Sequence, residues 1–249
     1  MKLLVIILCL LSERYLIHAV SYQRFCWFTN YYQFIQKTAD KNSIFANPWV
    51  LLAFIVLPIL VITAVIYCLL HGIFFGFMGL LLSIVLFYYS LGPQNVFYPP
   101  AESYSENYTA SVGNYFVLVN QQLFSVLFWY IIAGPVAALA YRLIALCRDI
   151  TAVSAQANQL ADLLEWIPAR LTALLYLLVG NFQRGFGTFM RYIISKPDAN
   201  NNLLSECGLL AVRASDVDEV PLPVAESLVE HAIFVALVFV ALFTLVSWL

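Results

Sequence analysis

Between Val50 and Leu91 the chain carries no Asp, Glu, Lys or Arg. Two apolar runs fill that interval, Val50 to Leu70 and Ile73 to Leu91, separated only by His71-Gly72. A run of about twenty apolar residues is the length a helix needs to cross the hydrocarbon of a bilayer. Such a pair reads as a helical hairpin with Gly72 in the turn, and Pro58 is placed to kink its first arm. A third run extends from Leu123 to Tyr141, interrupted by Gly134-Pro135, and a fourth from Ala232 to Leu249. A fifth, Leu163 to Gly180, is apolar apart from Glu165 and Arg170.

Composition agrees with this reading. The chain has 249 residues, 63% hydrophobic and 10% charged, whereas soluble domains carry roughly a quarter charged residues. The expected class is therefore an all-α, polytopic integral membrane protein with four or five transmembrane helices and a small cytoplasmic region. The expected organisation is a membrane domain over 1–183, a polar cytoplasmic region over 184–231, and a C-terminal transmembrane helix over 232–249. The 92–122 connection, with Tyr98-Pro99-Pro100, offers little drive to form a core. Ser215 to Pro223 reads as an acidic linker.

Charge distribution bears on orientation and partners. The 92–122 stretch holds Glu102 and Glu106 but no Lys or Arg, while Arg142, Arg148, Arg184, Arg191, Lys196 and Arg213 come later. The positive-inside rule puts the first stretch outside and the later residues in the cytoplasm. Residues 21–48 are also basic, through Arg24, Lys37 and Lys41, and their side of the membrane stays open. A net charge of −2 without a basic tract gives no expectation of nucleic-acid binding. The N-terminal Lys2 and Leu3 to Leu11 imitate a secretory signal but lack a small-x-small cleavage site, so the segment is expected to be retained. The five cysteines form no Cys-x-x-Cys pair, and His18, His71 and His231 lack partners at ligand spacing. No metal site and no cofactor are expected from these residues.

The segment Leu163 to Gly180, LLEWIPARLTALLYLLVG, sets Pro168 and Arg170 into an apolar helix. A guanidinium in such a place needs an anionic partner, a polar cavity or an exit to the headgroups. Two readings stand: an interfacial helix start with Arg170 snorkelling, or a shaped polar site at a proline kink. Asp162 and Glu165, three apart on one face, either favour a helix N-terminus or pair with Arg170. Arg142 either sets topology or joins Arg170 in an anion-binding pocket, since guanidinium suits phosphate and carboxylate bidentately. The candidate ligand-binding set is thus Arg142, Asp162, Glu165, Pro168 and Arg170. No catalytic residue is assigned.

Two blocks also carry a family resemblance. Leu127 to Arg142, LFWYIIAGPVAALAYR, resembles the PLFWYxIGGPPGALAYR segment of the CobD/CbiB membrane proteins of cobalamin biosynthesis. Asp162 to Thr172, DLLEWIPARLT, is similar to their DLLNWIPARLT. The Trp166 to Gly180 run, Glu165 before the tryptophan, and Ser12-Glu13-Arg14 resemble the AmpE branch of the same superfamily. The CobD/CbiB resemblance implies an ATP-dependent, amide-forming ligase with a carboxylate-held Mg²⁺. Yet the acidic motif of that family falls on Val117, Leu118, Gln121 and Gln122, and both of its acids are absent here. ATP with Mg²⁺ is therefore expected only under that alternative. The AmpE resemblance implies an inner-membrane regulator of bacterial β-lactamase induction and the β-lactam response, and the missing ligase acids lead to an expectation of no turnover. It is compatible with an anionic ligand, a nucleotide or a muropeptide, and with an envelope-signalling protein partner.

Overall fold

The computed structural model describes residues 2–15, 25–39, 47–71, 76–92, 108–213 and 220–246. Every described element is helical. Gly72 of the expected hairpin, residues 93–107 with Glu102, Glu106 and the proline pair, and the acidic residues 216, 218 and 219 lie outside the described residues. So do His18, Arg24 and Lys41. The chain divides into two compact units, Met1–Asn95 with Val126–Leu163, and Val96–Ser125 with Leu164–Leu249.

The first unit contains α1 (Lys2–Tyr15), α2 (Cys26–Ala39), α3 (Pro48–His71) and α4 (Phe77–Ser90). It also holds nearly all of α6 (Ser125–Ala133), with α7 (Pro135–Leu146) and the start of α8 (Ser154–Val179). Helix α3 starts where Asn47 accepts the Trp49 amide through Oδ1 at 3.0 Å, with Pro48 at the first helical position. A proline there lacks only a donor that would go unused. Helix α4 packs against α1, α3 and α7, and α3 packs against α7. Phe25, Phe28, Ile35, Leu52, Ile55, Leu86, Leu143 and Cys147 belong to one buried cluster. Polar side chains within these helices fold back on their own backbone: Ser83 Oγ donates to Gly79 O (2.8 Å) and Ser90 Oγ to Leu86 O (2.7 Å). Satisfied locally, such hydroxyls sit in an apolar interior at little cost.

The second unit contains α5 (Tyr108–Val119), a π-turn over Asn120–Phe124, most of α8, α9 (Phe182–Tyr192), α10 (Asn200–Val212) and α11 (Leu222–Val246). Helix α10 packs against α5, α9 and α11. The α5–α10 crossing is close because glycines stand where side chains would collide. A Cβ on Gly208 would run into the Phe116 ring, and one on Gly113 into the Ser205 hydroxyl. Small residues at a crossing let helix backbones approach where lipid supplies no hydrophobic squeeze.

Among the described residues three helices are long and apolar enough to cross a membrane: Pro48–Leu70, Ser111–Ala133 and Leu222–Leu245. The first matches the run read from sequence. The third apolar run, expected at 123–141, instead runs Ser111–Ala133. Gly134 has φ 88 and ψ −173, a region open essentially to glycine alone, so the helix ends there and Pro135 begins another. Residues 108–119, read as part of a loop, are helical, and Val112, Phe116 and Val119 are buried. Helix α11 begins at Leu222, ahead of the expected Ala232, and takes in Glu226 and Glu230. The apolar helix Phe77–Ser90 is shorter than the run 73–91. Residues 163–179 of the expected run belong to the longer α8, which continues through Pro168 and ends before Gly180.

Candidate functional site

Arg170 organises the polar interior of the second unit. It projects from α8 and is only 7% exposed. Its Nε donates to Ile193 O (3.0 Å), and Nη1 donates to Trp166 O and Asn200 Oδ1, both at 2.7 Å. Nη2 donates to Ser195 O (2.9 Å), Ser195 Oγ (3.1 Å) and Tyr192 O (3.3 Å). The carbonyls of Tyr192, Ile193 and Ser195 belong to the last residue of α9 and the turn after it, where a helix leaves acceptors unused. Arg170 therefore caps α9 and places its charge at the negative end of that helix. Asn200, the first residue of α10, is 1% exposed and accepts from the same guanidinium. One side chain thus joins α8, the end of α9 and the start of α10.

Neighbouring groups brace the arrangement. The Trp166 ring centroid lies 4.2 Å from the Arg170 guanidinium carbon, a cation–π contact, and Trp166 Nε1 donates to Ser195 O at 3.0 Å. Ser195 Oγ donates to Tyr192 O at 2.7 Å. Tyr192 donates its hydroxyl to Glu206 Oε1 at 2.9 Å, and that carboxylate holds the phenol above its usual pKa. Pro168 occurs two residues before Arg170 within the same helix.

The remaining sequence candidates distribute as follows. Asp162 accepts from Arg148 Nη2 at 2.8 Å, within the first unit, so its ion pair is with Arg148 rather than Arg170. Glu165 is fully buried in the second unit. Arg142, 2% exposed, donates from Nε to Ser90 O at 2.7 Å, so its guanidinium caps the end of α4 much as Arg170 caps α9. Arg142 belongs to the first unit and Arg170 to the second.

A second polar layer was missed from sequence. Thr172 Oγ1 donates to Asn120 Oδ1 at 2.9 Å, and Tyr176 donates its hydroxyl to Phe116 O at 3.2 Å. Asn120 begins the π-turn, a local widening that recurs at functional positions in helices. Asn120 Nδ2 and Ser125 Oγ are buried without a hydrogen-bond partner among the described residues. The signal available in sequence was Asn120-Gln121-Gln122, three amides in an otherwise apolar helix. Gln121 and Gln122 are the positions where the ligase resemblance would need an acid and a glycine. Among the described residues no three His, Cys, Asp or Glu side chains come together to hold a metal ion. The donor set of amides and hydroxyls does not fit a Mg²⁺–ATP centre, which calls for carboxylates.

The family profile described as regulatory signalling modulator protein AmpE matches residues 95–249. The chain belongs to the AmpE family. The matched AmpE region runs from ahead of α5 to the end of the chain and includes Arg142, the Asn120–Thr172 pair and the whole Arg170 arrangement. Helices α1 to α4 precede it. No curated protein and no solved structure matches the chain. Membership of AmpE makes this a regulatory signalling protein in general terms, and its three span-capable helices make it a membrane protein.

Proposed function

We propose that this chain is a multi-pass inner-membrane regulator that couples the cell-envelope state under β-lactams to β-lactamase induction, acting without turnover. The AmpE match over residues 95–249 carries the reading. The polar interior supports it. The Arg170 donors are spent on carbonyls, an amide and a hydroxyl, and the layer at Asn120 is built from neutral groups. With α4 added, the span-capable helices make a four-crossing membrane domain, and the basic residues from Arg148 to Arg213 lie together on its cytoplasmic side.

The signal in this proposal is an anion, a nucleotide or a muropeptide, that engages the second unit at Glu165, Pro168 and Arg170. An anion competes with the α9 carbonyls for the Arg170 guanidinium, because a charged acceptor bonds roughly twice as strongly as a neutral one. Its binding uncaps α9 and hands the change to an envelope-signalling partner. A ligand shifts such an equilibrium only by its differential affinity for the two states. Replacing Arg170 must therefore alter both ligand response and basal stability. The CobD/CbiB-type ligase is the weaker alternative, because Gln121 and Gln122 replace the acid and glycine of its motif.

Thermal unfolding of the detergent-purified protein, with Mg-ATP or anhydro-muropeptide added separately, tests the reading. A muropeptide-dependent rise in Tm that Arg170→Lys removes is expected. In cells, β-lactamase induction should fall when the chain is deleted and return with the wild-type copy only. Induction that is unchanged by the deletion refutes the proposal. A Mg-ATP-dependent amide product would replace it with the ligase.

A further inference from the structure

Helix α9, Phe182–Tyr192, carries three distinct faces. Phe182, Phe186 and Met190 follow one another at four-residue spacing and are 39, 38 and 46% exposed. The Phe182 and Phe186 rings are 4.9 Å apart, so the stripe is continuous. At 3.6 residues per turn these three side chains share an arc of about 80°. Gly185 and Phe189 form a second, buried face, and a Cβ on Gly185 would run into the Leu177 side chain of α8. Arg184 and Arg191 form the third, about 150° from the centre of the apolar stripe. Both are exposed, with the exposed Gly187 between them and the stripe, and Lys196 follows shortly after. Helix α9 contains no Asp or Glu.

From this we infer that α9 is an in-plane helix of the bilayer interface, its Phe182–Phe186–Met190 stripe seated in the acyl boundary and its arginines meeting the phosphates of anionic lipids. Three large apolar side chains in water would be an aggregation hazard on any chain. This chain has a bilayer at hand through Ser111–Ala133 and Leu222–Leu245. The same four-residue spacing of exposed apolar side chains appears on α8 at Ile167 and Leu171. Eleven residues with two arginines are too short, at about 16 Å, and too charged to cross the hydrocarbon. The exposed arginines of a helix that carries no Asp or Glu of its own complement anionic headgroups, where each Lys or Arg near the surface strengthens binding by about fivefold. Arg184 donates from Nη1 to Arg213 O at 3.3 Å, which ties the helix to the end of α10.

The test uses the full chain with Cys26→Ser and Cys68→Ser, which removes the two exposed thiols and leaves the buried ones. A bimane label is placed through Met190→Cys, through Phe186→Cys in a second variant should the first not fold, and through Gly187→Cys on the polar side. Each protein is reconstituted in vesicles of phosphatidylcholine and phosphatidylglycerol. At 190 or 186, a nitroxide near the lipid headgroup should quench more than one near the chain end, and aqueous iodide should quench little. At 187 iodide should dominate. The headgroup-proximal nitroxide carried on phosphatidylglycerol should outperform the same group on phosphatidylcholine several-fold, and Arg184→Gln with Arg191→Gln should remove that preference. Strong iodide quenching at 190 and 186 overturns the inference, since the stripe is then in water. Strongest quenching by the deep nitroxide overturns it in favour of an inserted helix. Insensitivity to both kinds of quencher overturns it in favour of cover by a protein or a second copy. A headgroup preference that survives the double arginine replacement overturns the role of the arginines.

Discussion

Arg170 Nη1 and Asn200 Oδ1 are 2.7 Å apart, and both residues are buried. The bond connects the middle of one helix to the first residue of another thirty positions later, with the end of α9 held by the remaining donors of the same guanidinium. A charge placed there is stabilised by backbone carbonyls, the Asn200 amide oxygen and the Ser195 hydroxyl.

Replacing either partner should therefore cost more than a surface change. Asn200→Ala leaves a buried charged donor without that acceptor and is expected to destabilise by about 1–3 kcal/mol. Arg170→Lys keeps a charge but cannot reach all the acceptors with three donors, and about 3 kcal/mol is expected for breaking a buried charged network. Because the two share one bond, the double variant should lose less than the sum of the singles. Denaturant titration in detergent measures all three, and strict additivity would rule out direct coupling.

Gly208→Ala should fail for a steric reason alone, since the new methyl meets the Phe116 ring. Overpacking of this kind costs about 1–3 kcal/mol. Trimming the obstacle with Phe116→Leu in the same chain should recover part of the loss. If Phe116→Leu worsens Gly208→Ala by its full single-variant cost, the close α5–α10 approach is not what the glycine serves.

Gly134→Ala isolates backbone strain from packing. A Cβ there has nothing within 4 Å, yet φ is 88. The expected loss is about 1–3 kcal/mol, from conformation only. Gly187→Ala, also in open space but inside α9 at an ordinary helical φ, should be neutral or mildly stabilising. Equal effects of the two substitutions in thermal unfolding would contradict the strained helix break.

Cysteine reactivity should separate by burial. Burial pushes the Cys147 and Cys207 thiols up to about 12, so the reactive thiolate is about 10⁻⁴ of each at pH 8. Raising the pH toward 12 increases the thiolate but leaves both sulfurs enclosed. N-ethylmaleimide at pH 8 should modify the exposed Cys26 rapidly in the folded protein, and Cys147 and Cys207 only after unfolding. Mass spectrometry of quenched time points reads this directly. Modification of Cys207 at the rate of Cys26 would show that α10 opens in the native state.

Class was legible in the chain: uninterrupted apolar runs at 10% charge point to a helical membrane protein, and Val50 to Leu70 lies in a helix long and apolar enough to cross a membrane. The sequence by itself also singled out Arg170, because a guanidinium in an apolar helix must find acceptors somewhere. Which acceptors was a tertiary matter. The turn after α9 is more than twenty residues away and had no local mark as a partner, so the expected carboxylates were the obvious but unused choice. The boundary of the 111–133 helix went unread for a different reason. Asn120-Gln121-Gln122 looks like a loop until Thr172 satisfies the Asn120 carbonyl, and Gly113 looks like a break until α10 crosses there. Polarity and glycine argue against a buried helix when judged alone. Packing reverses both, because the Thr172 bond offsets part of the amide's desolvation and an absent side chain becomes contact surface.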